Sequence, residues 1–395
     1  MKKQRRLQKN SRHIYDEAVS YENLFKMWKT VRKTCKNKPL LMAFSLNLHA
    51  NLGKIEQELK TRSYRPHRFR TFMIFEPKPR LVMSQLIRDK IVNHFVANFF
   101  LLPLLEDCLI DQNVATRKGF GSAEAMRQLK AYFASILAKH PGQKVYALKV
   151  DVSKYFYSIE HEKLMRMLRK KILDKDVLWL IKLLIDETDK PYINRSIQKF
   201  NRRFSTDIPE YRRGRGLSIG AMASQFLAIY FLNELDHKIK EELRCRYYLR
   251  YMDDLLVLST DKNELRKILD WLTVELEKLG LTVNPKSRIY NCADGFVFLG
   301  FRYRIVEGRL QVSCAGATVR RIYQRILLKR GDFFDGPMSM GREEFRQMIA
   351  SYCGYFGCCG RAGLARLEGM VRVEVVETSS YPWEGYIIAV IRHPQ

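Results

Sequence analysis

Apolar residues recur along the chain every three to four positions in some stretches and in short extended runs in others, and the changes of period mark out its elements. Leu48, Leu52, Ile55 and Leu59 predict a helix, and a longer one over 85–105 carries Ile87, Ile91, Phe95, Phe99 and Leu102 on one stripe. Between them, 69–75 and 81–83 read as extended stretches interrupted by Pro77 and Pro79. Residues 145–150 are strong β-formers that run into Asp151, so a strand ends on a carboxylate, and helix-like sequence follows from His161. A helix over 218–243 would bury Ile219, Met222, Ala223, Phe226, Leu227, Tyr230 and Phe231. Strands at 247–251 and 255–258 then flank Met252-Asp253-Asp254, a hairpin with an acidic tip.

The pattern continues with Asp261 and Glu264 as a capping box, opening a helix that Gly280 stops. A strand at 281–283 and a hairpin of 296–303 with 309–312, turning at Glu307-Gly308, come next. From Ala315 to about Glu374 the sequence is helical and basic, while Val371, Val373, Val375, Ile387, Ile388 and Val390 make 371–395 β-like.

Charge narrows the class. Seventy Lys and Arg against forty-two Asp and Glu in 395 residues leave +28, a self-repulsion that makes a polyanion, nucleic acid first, the expected partner. Hydrophobic residues at 46% supply a real core, and the length predicts two or three packed units. Residues 1–38 hold twelve basic side chains against three acidic ones, and the polar segment 190–215 reads as a basic insertion or hairpin. With no run of about eighteen uncharged apolar residues and a polar start after Met1-Lys2-Lys3, the chain is expected to be cytoplasmic and free of the membrane. Its eight cysteines form no CxxC pair and no His sits at ligand spacing to them, so buried reduced thiols are expected rather than zinc.

Asp151, Asp253 and Asp254 are the candidate chemistry. Adjacent carboxylates on a tight hairpin raise each other's pKa unless a cation neutralises them. Oxygen-only ligands favour a hard ion, and two of them suit in-line nucleotidyl transfer. An Asp pair is also an ordinary solvated turn. The neighbouring blocks argue against that reading. They are Pro77-Lys78-Pro79-Arg80, Arg88-Asp89-Lys90, Arg117-Lys118-Gly119-Phe120-Gly121, Asp151-Val152-Ser153-Lys154-Tyr155-Phe156, Gly216 to Gln225, Tyr251-Met252-Asp253-Asp254, Gly280 to Lys286, and Phe298-Leu299-Gly300-Phe301. In this order they resemble the blocks of reverse transcriptases.

The resemblance implies an α+β right-hand polymerase fold. Its parts would be a basic N-terminal helical extension (1–62), fingers (63–144), a palm of antiparallel sheet with helices (145–313, carrying the 190–215 insertion), a helical thumb (314–370) and the β-like extension 371–395. It implies that Asp151, Asp253, Asp254 and the Val152 carbonyl hold two Mg2+, with Mn2+ as the alternative. Lys78 and Arg80 would clamp a triphosphate, Phe156 would bar a 2′-hydroxyl, Ile219 and Gln225 would lie near the nucleotide, and Leu299-Gly300 would grip the primer. Lys286 would act as general acid or stand simply as a surface lysine. Template RNA, primer or cDNA, and dNTPs are the implied partners.

Ile219-Gly220 followed by Ser224-Gln225, together with Tyr-Met-Asp-Asp, is most similar to reverse transcriptases of diversity-generating retroelements of bacteria and phages, relatives of the group II intron enzymes. That subtype implies error-prone copying and a small basic accessory protein. An antiphage-defence reverse transcriptase, a silent RNA-binding palm and an RNA-dependent RNA polymerase are the alternatives.

Overall fold

In the computed structural model, residues 13–35, 37–75, 78–334 and 340–376 are described. They divide into two compact units. One comprises residues up to Gly121, Lys149–Val257 and Arg266–Arg288, and the other Ser122–Leu148, Leu258–Leu265 and residues from Ile289 onward. The units do not follow the expected division by chain order, because the helix Ser122–Lys139, assigned above to the fingers, belongs with the residues after 289.

In the first unit, helices Ile14–Ala18, Tyr21–Thr34, Lys38–Leu46 and Leu48–Lys60 build the basic N-terminal region. Tyr21–Thr34 shows why. Ser20 accepts a hydrogen bond from the Asn23 N–H, Glu22 sits in the first turn and Arg32 and Lys33 in the last, and Leu24, Met27, Trp28 and Val31 bury one stripe. The long apolar segment is helical from Ile87 to Leu105. Pro103 removes a backbone donor and crowds the carbonyl four residues before it. Val96–Leu101 widens into a π turn, and the Leu102 N–H donates to the Ala97 carbonyl. This helix is long and apolar enough to cross a membrane by composition, yet Ile91, Val92, Phe95, Val96, Phe100 and Leu101 are fully buried, so it is the core helix of its unit.

Strands β1 (Arg70–Ile74) and β2 (Arg80–Ser84) pair antiparallel, with Ile74 opposite Arg80. Against their apolar face packs the helix Pro191–Phe204, and Ile193 and Ile197 join Leu81, Met83, Ile208 and Tyr211 in one cluster. This corrects the reading of 190–215 as a polar insertion or hairpin over 191–204, where Arg195, Lys199, Arg202 and Arg203 lie on the solvated side of an amphipathic helix.

The central sheet has the order β4–β5–β3–β6, from β3 (Tyr146–Asp151), β4 (Tyr248–Tyr251), β5 (Asp254–Ser259) and β6 (Arg288–Asn291). Leu255 to Leu258 are all buried, as for a strand covered on both faces. The expected helix over 218–243 begins only at Met222 and breaks into Met222–Phe231 and Asn233–Glu241. Gly220, at φ +113°, turns the chain before it. The expected strand at 281–283 is a single bridge, Val152 to Val283.

In the second unit, β7 (Phe296–Phe298), β8 (Phe301–Val306) and β9 (Arg309–Cys314) form a meander. Its two tight turns, Leu299-Gly300 and Glu307-Gly308, have positive φ throughout. Helices Gly316–Phe334, Met340–Gly357 and Gly360–Val376 follow. The last corrects the β-like reading of 371–395 as far as Val376: extending an existing helix needs no new nucleus, and this outweighs the β preference of four valines. Residues 377–395 lie outside the described part.

Candidate active site

The acidic hairpin is a two-residue connection, Tyr251 pairing with Asp254 and Met252-Asp253 forming the turn. Met252 sits at φ +57°, where a non-glycine residue is strained by about 1–3 kcal/mol and persists only if its surroundings hold it. A buried guanidinium does so. Arg250 donates from Nη1 to the Met252 carbonyl at 2.8 Å, and from Nη2 to the Ile229 carbonyl at 2.9 Å. It meets Asp236 twice, Nε to Oδ1 at 2.7 Å and Nη2 to Oδ2 at 2.5 Å, with both side chains 0% exposed. The Tyr248 hydroxyl adds a hydrogen bond to Asp236 at 2.6 Å. One side chain thus joins the acidic turn to the helices Met222–Phe231 and Asn233–Glu241.

Asp151 closes β3, the neighbour of β5 in the sheet. Its Oδ2 accepts from Asn284 Nδ2 at 2.6 Å, and its carbonyl accepts the Asn284 N–H at 2.8 Å. Asn284 Oδ1 accepts the Lys286 N–H, so the Lys286 loop is built onto the Asp151 strand while the Lys286 side chain stays exposed. Val152 is buried beside it.

Electrostatics brings the three carboxylates together. Burial pushes Asp253 up to about 6, with the charges of Asp254 and Asp151 adding to the rise and Arg80 opposing it. Asp254 is raised as well, first by burial and then by Asp151, against Lys149 and Lys78. Lys149 Nζ lies 3.5 Å from Asp254 Oδ1. Acidic groups that burial and one another hold above their ordinary range, ringed by Lys78, Arg80 and Lys149, form a site that favours a bound cation and, beside it, a phosphate.

The remaining expected residues fall into two groups. Phe156 lies in the helix Tyr155–Ser158, and its carbonyl accepts the Leu217 N–H at 2.7 Å. Ile219 accepts the Met83 N–H at 2.9 Å, and a Cβ on Gly220 would lie 3.1 Å from Val82 Cγ1, so β2 and this segment meet backbone to backbone. The Ala223 N–H is capped by Asn93 Oδ1 at 2.8 Å, and Gln225 is exposed on that helix. Leu299 and Gly300 are placed in the second unit, at the β7–β8 turn, where the Tyr355 hydroxyl donates to the Gly300 carbonyl. Arg250, Asp236, Lys149 and Asn284 were not picked out by sequence reasoning. The available signal was an arginine two residues before the turn, in a strand otherwise apolar.

The family described as reverse transcriptase (RNA-dependent DNA polymerase) matches residues 78–303, more than half of the chain. The chain belongs to the reverse transcriptase family. Its catalytic domain is of the RNA-directed DNA polymerase type, a class that uses divalent metal ions. The putative COX1/OXI3 intron 2 protein of Saccharomyces cerevisiae is 24% identical, over 47% of this chain and 26% of that protein, so this reverse transcriptase spans about a quarter of that relative. Among solved structures, the telomerase of Candida albicans in complex with a TWJ fragment of telomeric RNA is similar over 84% of this chain and 64% of that one, with TM-score 0.47 and 14% identity. The apo telomerase of Candida tropicalis is similar over 65% and 59%, with TM-score 0.44 and 12% identity.

Proposed function

We propose that the chain copies template RNA into cDNA, extending a primer with dNTPs by two-metal nucleotidyl transfer. The observation that carries this reading is the cluster of Asp151, Asp253 and Asp254, in which burial and the neighbouring carboxylates raise the pKa of Asp253 and Asp254 while Arg80 and Lys78 oppose the rise. The three carboxylates and the Val152 carbonyl would hold two Mg2+, whose contribution when bound is to lower the pKa of the primer hydroxyl and to neutralise the triphosphate. Arg80 and Lys78 would orient the triphosphate, the guanidinium fork fitting paired phosphate oxygens. Phe156 would close the sugar pocket against a 2′-hydroxyl, and Lys286 would protonate the leaving pyrophosphate. The Arg250 anchor would hold Asp253 in register throughout the cycle. Leu299-Gly300 would support the primer strand.

Ile219 in place of an amide, with Ser224-Gln225 and Tyr-Met-Asp-Asp, supports a diversity-generating retroelement as the setting, with error-prone copying and a small basic accessory protein in a bacterial cytoplasm. An antiphage-defence enzyme is the other setting for the same chemistry. Primer extension by the purified chain on RNA, offered dNTPs or NTPs, tests the core reading. Incorporation of dNTPs that Asp253→Ala abolishes while RNA binding persists is expected. RNA binding with no incorporation of either would leave a silent scaffold. Sequencing the cDNA separates the settings: an error rate that falls in Ile219→Gln supports the retroelement.

A further inference from the structure

A second convergence of ligand atoms lies in the first unit, on other elements than the acidic hairpin. His161 opens the helix His161–Arg169, and Asp186 and Asp189 bound the 3-10 turn Asp186–Asp189. One atom of each lies within 4.8 Å of the others, and His161 is 4% exposed. His161 Nε2 is 2.7 Å from the Gly216 carbonyl, which fixes that nitrogen as the N–H donor. The other ring nitrogen, Nδ1, faces two carboxylates, Asp186 Oδ1 at 3.4 Å and Asp189 Oδ2 at 3.9 Å, and at these separations this buried atom makes no hydrogen bond of ordinary length.

Two carboxylates and a ring nitrogen facing one another need a positive charge between them. A proton on Nδ1 would draw a carboxylate to about 2.7–2.9 Å. Both observed separations are longer than that: 3.4 Å equals, and 3.9 Å exceeds by half an ångström, the ~3.4 Å edge of a tetrahedron whose corners lie about 2.0–2.1 Å from a common ion. The outer atoms are already committed in the manner of ligands oriented from behind. Asp189 Oδ1 accepts the Gly214 N–H at 2.8 Å, Asp186 Oδ2 accepts from Lys182 Nζ at 2.6 Å, and His161 donates to Gly216.

We propose that His161, Asp186 and Asp189 form a structural site for a divalent cation of the zinc class, separate from the polymerase carboxylates. Water would complete the shell on the side where Asp186 is 37% and Asp189 25% exposed. The ion would lock the Gly214–Gly216 turn that leads into Leu217 to Gln225. The Gly216 N–H donates to the Ile159 carbonyl and the Leu217 N–H to the Phe156 carbonyl, so the same turn also sets Phe156.

The test is Zn2+ uptake by the EDTA-dialysed full chain in the Asp253→Asn/Asp254→Asn background, which weakens binding at the polymerase site. About one equivalent should be retained, X-ray absorption should show nitrogen and oxygen ligands including an imidazole, and Zn2+ should raise the melting temperature. His161→Gln should abolish uptake. Asp189→Asn, which keeps its acceptor for Gly214 and so should fold, should weaken uptake at least tenfold. No uptake in the background variant, uptake unchanged by Asp189→Asn, or an imidazolium at His161 indifferent to Zn2+ would overturn the proposal in favour of a plain ion pair.

Discussion

Substitution of Arg250 should separate the stability of the fold from the placement of its acidic turn. Arg250→Met leaves the Asp236 carboxylate fully buried with only the Tyr248 hydroxyl, and removal of one partner from such a pair costs about 3–5 kcal/mol. The Met252 and Ile229 carbonyls also lose their donor, each worth about 1 kcal/mol or more. Against a total stability of roughly 5–15 kcal/mol, Arg250→Met should melt far lower or fail to fold. The double variant Arg250→Met/Asp236→Leu removes the orphaned charge and should recover most of the lost stability. It should not recover the turn, because the guanidinium that ties the Met252 carbonyl to the two helices is gone. Single-nucleotide incorporation on an RNA template would show kcat reduced about a hundredfold, the order expected for a reacting group displaced by an ångström, with the dNTP KM nearly unchanged. Arg250→Lys, with three donors on one nitrogen, cannot reach Asp236 and both carbonyls and should behave likewise. A stable double variant with wild-type kcat would refute the positioning role.

Asp253, raised to about 6, should lose its ligand character as pH falls through that value, so activity should drop below pH 6 and Mg2+ should be needed at higher concentration there. Because its folded pKa lies above the ordinary 3.8, this carboxyl contributes to the metal-free protein a stabilisation that is present below pH 4 and is lost, by up to about 3 kcal/mol, as pH rises through 6. Mg2+ titrated into a thermal melt at pH 7 should reverse the loss; a pH–stability curve with the same shape in Asp253→Asn as in the wild type would contradict the shift. Phe156→Ala should admit ribonucleotides, read as the ratio of NTP to dNTP incorporation, and an unchanged ratio would remove Phe156 from the gate. Gly216→Ala should destabilise by several kcal/mol, since its Cβ would lie 2.4 Å from the buried Tyr211 ring at φ +95°; a melting temperature within a degree of wild type would count against that packing.

The strand that ends on Asp151, the acidic hairpin, the core helix and the β8–β9 hairpin were legible because each is specified by local periodicity and turn chemistry, whereas the β7–β8 turn at Leu299-Gly300 was hidden inside what reads as one strand over 296–303. The partnership of Arg250 with Asp236 was not, because a residue in a strand and one on a helix fourteen positions earlier meet only through tertiary packing. Charge density hid the helix Pro191–Phe204, although Ile193, Ile197, Phe200 and Phe204 repeat at helical spacing. The late start at Met222 follows from the left-handed backbone of Gly220, which an apolar count over 218–243 does not register. The trio His161, Asp186 and Asp189 was missed for a similar reason: its ligands are twenty-five and three residues apart and meet around a loop.

The hydrogen bond from the Met83 N–H to the Ile219 carbonyl is made entirely by main chain. Side-chain drift at either position leaves it intact, and only a proline at 83 would cut it. The hairpin bearing Arg80 is thereby mechanically yoked to the segment bearing Ile219, so a displacement of one drags the other. Variants that retune nucleotide choice can accumulate on both sides without removing this link.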